Sequence, residues 1–194
     1  MKILYLALSY ILFLQFFGCK MGSLDGSHEP CLPSNYFLTK ADWDVVPYKD
    51  STELTFLDSL TNDTFVFYGT AWDSTTKHSF YSGDFCVGDI FWEIRNINFV
   101  CKNYVYPINF NYSTESGASK ISIKMGPQLF SISRFTLDNK KKSYYIQNRL
   151  YNDVVKIPDQ AGLDTIKTNC YYSPTFGIVK IETPTGNLEL LKFK

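Results

Sequence analysis

Apolar and polar residues alternate along short segments of this chain, and the alternation predicts β-strands. Ile121, Ile123 and Met125 alternate with Ser122 and Lys124, a pattern that gives a strand one buried face and one wet face. From about residue 51 onward, no stretch of ten or more residues shows a convincing helical period. The fold class is therefore predicted to be all-β.

The predicted strands are short and evenly spaced, with polar turns between them at residues 58–63 and 184–187. Such spacing is typical of an antiparallel meander forming a curled sheet, a sandwich or a partly closed barrel. The main predicted strands are Thr52–Leu57, Thr64–Tyr68, Ile90–Phe99, Tyr104–Tyr112, Ser143–Tyr151, Asp153–Ile157, Thr165–Tyr172, Gly177–Glu182 and Leu188–Phe193.

Two places depart from this regular pattern. Phe135 and Leu137 fall on the opposite parity to the strand before them, which predicts a bulge near Arg134. Residues 36–48 are compatible with a short helix, and Pro47 is expected to end it.

The amino terminus has the order of residues typical of a secretory signal. Met1-Lys2 supplies a positive end, and residues 3–17 are apolar except for Ser9 and Gln15. This stretch is shorter than the roughly 18 to 20 apolar residues of a stable membrane-spanning helix. We therefore expect export and cleavage rather than a permanent span.

Phe16-Phe17-Gly18-Cys19 resembles the lipobox of bacterial lipoproteins, and its two phenylalanines resemble the looser lipoboxes of Bacteroidota. The resemblance implies removal of residues 1–18, acyl chains on Cys19 and a place in the cell envelope at the outer membrane, on either face. The alternative is a cysteine beside an ordinary cleavage site. With residues 19–35 as a tether, residues 36–194 are expected to form one β-rich domain.

Further segments resemble a group of small, uncharacterised Bacteroidota lipoproteins. They are Val46–Asp50, Tyr151–Ile157, Tyr171–Lys180 and Gly186–Leu191. Their motifs specify β turns and strand edges rather than chemistry. The resemblance therefore implies a fold and an address, and no activity.

The overall charge argues against a nucleic-acid partner. Lys+Arg and Asp+Glu both number 19, so the chain has no general basic field. The one dense charge run, Lys140-Lys141-Lys142, follows the turn pair Asp138-Asn139 and is interpreted as a solvated hairpin tip.

Four cysteines remain after Cys19, an even number that fits an oxidising compartment. Cys86 and Cys101 lie on neighbouring predicted strands and are a candidate disulfide, with Cys31 and Cys170 as its complement. Buried free thiols are the alternative. No C-x-x-C motif occurs and the histidines lack ligand spacing, so no metal and no cofactor are predicted.

No catalytic motif stands out, and the chain is predicted not to be an enzyme. His78 beside Asp73 and Ser79 is better explained as a loop histidine than as part of a triad. Glu93, next to Trp92, would suit a glycosidase acid, but alternation along a half-wet strand explains it equally well.

Four sites resemble the O-glycosylation sites of Bacteroidota envelope proteins, in which Ser or Thr follows Asp. All four are predicted to lie near turns, where a glycan fits. The candidates are Ser51, Ser59, Ser74 and Thr165.

Aromatic residues make up 17% of the chain, and exposed tyrosines can bind sugars or line an apolar groove. The functional hypothesis is a lipid-anchored, non-enzymatic domain that binds an envelope protein, a lipid or a glycan. Two alternatives remain. One is a structural subunit that pairs through an exposed strand edge, and the other is a hydrolase acting on envelope polymers.

Overall fold

The structure, a computed structural model, describes residues 29–30, 34–82, 86–114, 118–161 and 168–194. The predicted signal peptide (residues 1–18), Cys19, Cys31 and Thr165 lie outside the described residues. The signal peptide and the lipid anchor therefore stay predictions.

The described residues form fourteen strands and two short helices, so the all-β prediction is confirmed. The strands are β1 (Glu29–Pro30), β2 (Ser34–Tyr36), β3 (Glu53–Asp58), β4 (Thr64–Gly69), β5 (Asp73–Ser82), β6 (Cys86–Val100), β7 (Ile108–Ser113), β8 (Lys120–Met125), β9 (Gln128–Ser133), β10 (Lys142–Ile146), β11 (Arg149–Pro158), β12 (Asn169–Ser173), β13 (Gly177–Thr183) and β14 (Gly186–Phe193). The helices are α1 (Lys40–Trp43) and α2 (Arg134–Asn139).

The strands pair into one large sheet in the order β10-β11-β12-β13-β14-β3-β4-β6-β7-β8-β9. All neighbours along this order are antiparallel, whereas β1 and β2 pair in parallel with β6. The sheet curls until β9, at one end, reaches the chain just after β11, near the other end: Phe130 of β9 bridges to Asp159, and the Gln160 amide donates to the Leu129 carbonyl at 2.7 Å. The curled antiparallel sheet is thus confirmed, and it is not closed into a barrel.

One face of each strand turns into the curl and forms an apolar core. In β8, Ile121, Ile123 and Met125 are buried as the alternation predicts. Burial of each large apolar side chain contributes roughly 1.5–3 kcal/mol. The largest fully buried side chains are aromatic, namely Phe56, Phe67, Phe99, Phe110, Phe130, Tyr112, Tyr151 and Tyr172.

Residues 38–48, here called the inserted segment, fill one end of the curl. The Tyr172 hydroxyl donates to the Val45 carbonyl at 2.6 Å, and the Tyr48 hydroxyl accepts the Ile178 amide at 2.6 Å. The segment contains α1, so the predicted helix is confirmed but short. It ends at Trp43, well before Pro47.

The predicted bulge near Arg134 is wrong, because the chain forms helix α2 there. The Ser133 side chain accepts the Thr136 amide and caps the helix. A helical turn changes which residues face inward, so Leu137 is buried while Phe135 is exposed. The sequence pattern does change parity at this point, because the chain changes from strand β9 to helix α2.

The predicted single strand Ser143–Tyr151 is instead a hairpin between β10 and β11. Gln147 and Asn148 form its two-residue turn with φ of 48° and 58°. Positive φ at both positions is what the type I′ turn requires. This turn lacks the usual glycine, which is why the sequence did not reveal it.

Strand β6 extends beyond the curled sheet and carries a three-stranded extension, here called the wing. β5 pairs with one edge of β6 over residues 87–96, and β1 and β2 pair with the other edge. The predicted tether, residues 19–35, therefore already contains β1 and the start of β2. β5 was missed because its polar residues do not alternate with apolar ones.

Candidate functional site

One surface concavity among the described residues is an open groove of about 630 Å³. Of its nine lining residues, four are lysines and none is acidic. We call it the cationic groove, and its lining residues are Asn139, Lys140, Lys141, Lys142, Tyr144, Val155, Lys156, Pro158 and Asn169.

Strand pairing brings two separate stretches of sequence together in this groove. The end of α2 leads through Lys140 and Lys141 into β10, where Lys142 pairs with Val154 of β11. Lys156 lies two residues further along β11. Pro158 then pairs with Asn169 of β12, which completes the opposite side of the groove.

Asp138, which immediately precedes the lining residue Asn139, is already engaged with other partners. Asp138 accepts from Arg134 at 2.7 Å and lies 3.6 Å from the Lys141 ammonium. The Arg134 hydrogen bond is the main reason that the pKa of Asp138 lies below its usual value. Within the described residues, Lys140, Lys142 and Lys156 have no ion-pair partner.

A row of side chains crosses the outer face of the sheet beside the groove. Lys156, Tyr171, Lys180 and Glu189 are successive partners on β11, β12, β13 and β14. The two ammonium groups lie over the Tyr171 ring at 5.6 and 5.7 Å, and Lys180 pairs with Glu189 at 3.1 Å. Lys180 is thus neutralised, whereas Lys156 has an aromatic face and no ion-pair partner among the described residues.

Tyr171 and Tyr144 form an aromatic wall at the base of this region. Their rings meet edge-on at 5.1 Å, and the Tyr171 hydroxyl donates to Glu182 at 2.9 Å. Burial, together with Glu182, raises the pKa of Tyr171. Tyr171 is therefore held neutral, and Tyr144 offers the groove a half-buried aromatic surface.

The proposed pairing of Cys86 with Cys101 is wrong. Cys86 begins β6 and Cys101 follows its last residue, so the extended strand separates them by roughly 50 Å. A disulfide needs Cα atoms within about 7 Å. The prediction failed because it placed the two cysteines on different strands.

Cys101 and Cys170 carry free thiols in the described part of the chain. Cys170 is fully buried, and burial raises the pKa of its thiol, which makes the thiol unreactive. Its proposed partner Cys31 lies outside the described residues.

The structure places three of the four candidate glycosylation sites. Ser51 and Ser59 are exposed in turns, as predicted. Ser74 is also exposed, but it lies within β5 rather than in a turn. Thr165 is outside the described residues. Modification of these sites stays a prediction.

The two catalytic candidates have other contacts. His78 lies on β5 and pairs with Asp89 of β6 at 2.5 Å, whereas Asp73 is five residues away on the same strand. Glu93 is buried, pairs with Arg95 at 2.5 Å and accepts the Leu38 amide at 3.0 Å. The His78–Asp89 pair thus joins β5 to β6, and Glu93 joins the inserted segment to β6.

Across the described ranges, no group of three or more His, Cys, Asp or Glu side chains is arranged to hold a metal ion. Neither described helix has the length and apolar character that a membrane crossing requires.

Sequence reasoning named the lysine run but misplaced it. Lys140-Lys141-Lys142 was interpreted as a solvated hairpin tip, whereas it connects α2 to β10 and lines a groove. Lys156 gave no separate signal, because only the β10–β11 pairing brings it near. The groove is also cationic rather than apolar, unlike the apolar groove considered from the aromatic content.

No protein-family model, no curated protein and no solved structure matches the chain.

Proposed function

We propose that the protein is a lipid-anchored component of the bacterial cell envelope whose β domain binds a ligand in the cationic groove and catalyses no reaction. The groove carries this proposal: four lysines from two stretches of sequence line one concavity without a carboxylate among them. Concave sites with a few convergent polar groups are typical of ligand binding.

The anchor rests on the amino-terminal pattern and agrees with where the first described strand begins. Nine residues lie between Cys19 and Glu29. Even fully extended, they reach at most about 35 Å. Two or three acyl chains on Cys19 would hold the domain permanently close to the bilayer.

Fractionation tests the anchor. We expect the wild-type protein to sediment with the envelope and Cys19→Ala to be released or retained as an unprocessed precursor. Cys101→Ala is the matched control and should sediment like the wild type. A processed Cys19→Ala protein that still sediments fully would contradict the anchor.

Lysine footprinting tests the binding site without knowledge of the ligand. An acetylating reagent is applied to isolated envelopes and to the purified protein, and acetylation is read by mass spectrometry. We expect Lys140, Lys142 and Lys156 to react several-fold more slowly in envelopes, and the exposed controls Lys102 and Lys124 to react equally in both. If each of the five lysines reacts at the same rate in envelopes as in the purified protein, an occupied groove is excluded.

The free edge of β5 favours a second candidate function, a structural subunit of an envelope assembly. Ten residues of β5 pair with β6, and no described strand pairs with their other edge. Such an edge can accept a strand from another chain. Affinity purification from detergent-solubilised envelopes separates the two: a stoichiometric protein partner favours the subunit, and a bound lipid or glycan favours the binding domain.

A hydrolase acting on envelope polymers is the remaining alternative. It requires a nucleophile and base, or paired carboxylates, in one cleft. Glu93, the buried carboxylate that sequence reasoning considered, is held by Arg95 and the Leu38 amide. Release of reducing ends from purified envelope polysaccharide would favour this alternative.

A further inference from the structure

We infer that the ligand of the cationic groove is an acidic saccharide chain, whose carboxylate or phosphate groups pair with Lys140, Lys142 and Lys156. This inference rests on the proposed function and specifies its ligand. The whole chain has equal numbers of basic and acidic side chains, yet the nine lining residues of the groove include four lysines and no acid.

Among the described residues, carboxylates around the groove already bind other groups. Asp138 binds Arg134, and Glu189 binds Lys180. Glu182 accepts hydrogen bonds from both Tyr171 and Asn169. An acid group supplied by a ligand would find these ammonium groups available and would relieve their mutual repulsion.

The residue types indicate an extended ligand with repeated acid groups. All four cations are lysines, which act as point charges on flexible stems and do not impose the forked geometry of arginine. They come from two neighbouring strands, since Lys140 leads into β10, Lys142 begins β10 and Lys156 lies on β11. A volume of about 630 Å³ also lies in the range of sites that hold drug-sized or larger ligands.

The rest of the lining suits a sugar. Tyr144 and Pro158 offer flat apolar surfaces. The side-chain nitrogens of Asn139 and Asn169 already donate to the Phe135 carbonyl and to Glu182, so these two residues offer mainly their amide oxygens. Aromatic faces bind the apolar side of sugar rings, while amides can hydrogen-bond to hydroxyls. A bilayer surface fits less well, because the lining is concave and the exposed aromatics Phe135 and Tyr145 are not part of it.

The test is a binding titration with defined polymers. The purified full-length protein in detergent is titrated with polygalacturonate, which carries carboxylates, with phosphomannan, which carries phosphates, and with neutral dextran. The groove variant combines Lys140→Gln, Lys142→Gln and Lys156→Gln. The matched control combines Lys102→Gln, Lys120→Gln and Lys124→Gln, which changes the net charge equally outside the groove.

We expect at least one acidic polymer to bind, at least 10-fold weaker binding by the groove variant, and unchanged binding by the control variant. Binding of polygalacturonate or of phosphomannan alone identifies the acid group. Binding should also weaken as the salt concentration rises, because charge pairing supplies much of the affinity.

Four results would overturn the inference. These are equal binding of dextran, no binding of either acidic polymer, equal weakening of both variants, and tighter binding of anionic phospholipid vesicles or single-stranded DNA than of the polysaccharides. Slower acetylation of the groove lysines in envelopes, combined with no binding of acidic polymers, would overturn the acidic-saccharide inference while the binding function stands.

Discussion

The interior of the curl and the cationic groove satisfy their polar groups in opposite ways. In the described residues, every buried side-chain nitrogen or oxygen has a hydrogen-bond partner. Tyr48 and Tyr172 even bind the backbone of distant segments. In the groove, by contrast, three lysines have no counter-charge among the described residues.

This difference separates stability from binding. Because the buried polar groups of the interior already have hydrogen-bond partners, they are not available to a ligand. Any change there should lower the free energy of unfolding. Lysines without a counter-charge contribute little to folding, and they remain able to pair with the acid groups of a ligand. Substitutions in the two regions should therefore have different consequences.

The largest effect is expected where the interior has no room at all. Gly177 has φ of 72°, and a Cβ there would overlap the hydroxyl and ring of buried Tyr48. Gly177→Val should lower the free energy of unfolding by more than about 4 kcal/mol, measured by urea denaturation.

Gly126→Val is the control for this prediction. Gly126 also has positive φ, at 57°, but its neighbour is the Tyr106 ring, which is 47% exposed and can move. The loss should be about 1–2 kcal/mol, mainly from backbone strain. Equal losses for the two variants would show that the Tyr48 contact is not tight.

A smaller loss is expected from removal of one buried hydroxyl. Tyr172→Phe leaves the Val45 carbonyl without its donor in the interior, which should cost about 1–3 kcal/mol. Tyr145→Phe removes a hydroxyl from a side chain that is 76% exposed and should change stability by less than about 0.5 kcal/mol. Thermal denaturation of both variants measures the difference, and a neutral Tyr172→Phe would contradict the account of the inserted segment.

Acid should weaken the attachment of α1 to the sheet. Burial acts to raise the pKa of Asp42, but hydrogen bonds from Ser119 and Thr39 outweigh it and hold the pKa below the usual 3.8. The folded state thus favours the ionised form of Asp42. The stabilisation that ionised Asp42 gives the folded state is therefore present above about pH 4 and is lost as the pH falls through the lowered pKa.

The measurement is the midpoint of acid unfolding for Asp42→Asn and for Asp44→Asn, an exposed neighbour. Asp42→Asn should reduce stability at pH 7 and flatten its dependence below pH 4. Asp44→Asn should change neither, and identical behaviour of the two variants would rule out the Asp42 network as the cause.

The smallest effect on stability is expected in the groove. The triple variant Lys140→Gln, Lys142→Gln and Lys156→Gln removes repulsion, so stability at low ionic strength should rise by a few tenths of a kcal/mol. The gain should vanish at high salt, where charges are screened. A loss comparable with that of the interior variants would mean that these lysines serve the fold.

Much of the fold was predictable because alternation reports which face of a strand is buried. β3, β8 and β13 were found this way, with their turns. β5 was not, because both of its faces are wet and its residues carry no period. The turn at Gln147-Asn148 was missed because both residues have positive φ although neither is glycine, the residue that usually signals such a turn.

The groove illustrates a different limit. Lys156 is fourteen residues from Lys142, and only the β10–β11 register brings them to one site. Likewise, Cys86 and Cys101 were separated by a strand whose length the sequence understated. Contacts between elements depend on register and length, which local patterns determine poorly.

The most direct test of the groove as the binding site is hydrogen exchange of the full-length protein with and without polygalacturonate, read by mass spectrometry. We predict slower exchange confined to backbone amides of residues 139–144, 155–157 and 169, with no change in the inserted segment or in β7. Protection that is absent from these residues, or that lies elsewhere on the sheet, would contradict the account.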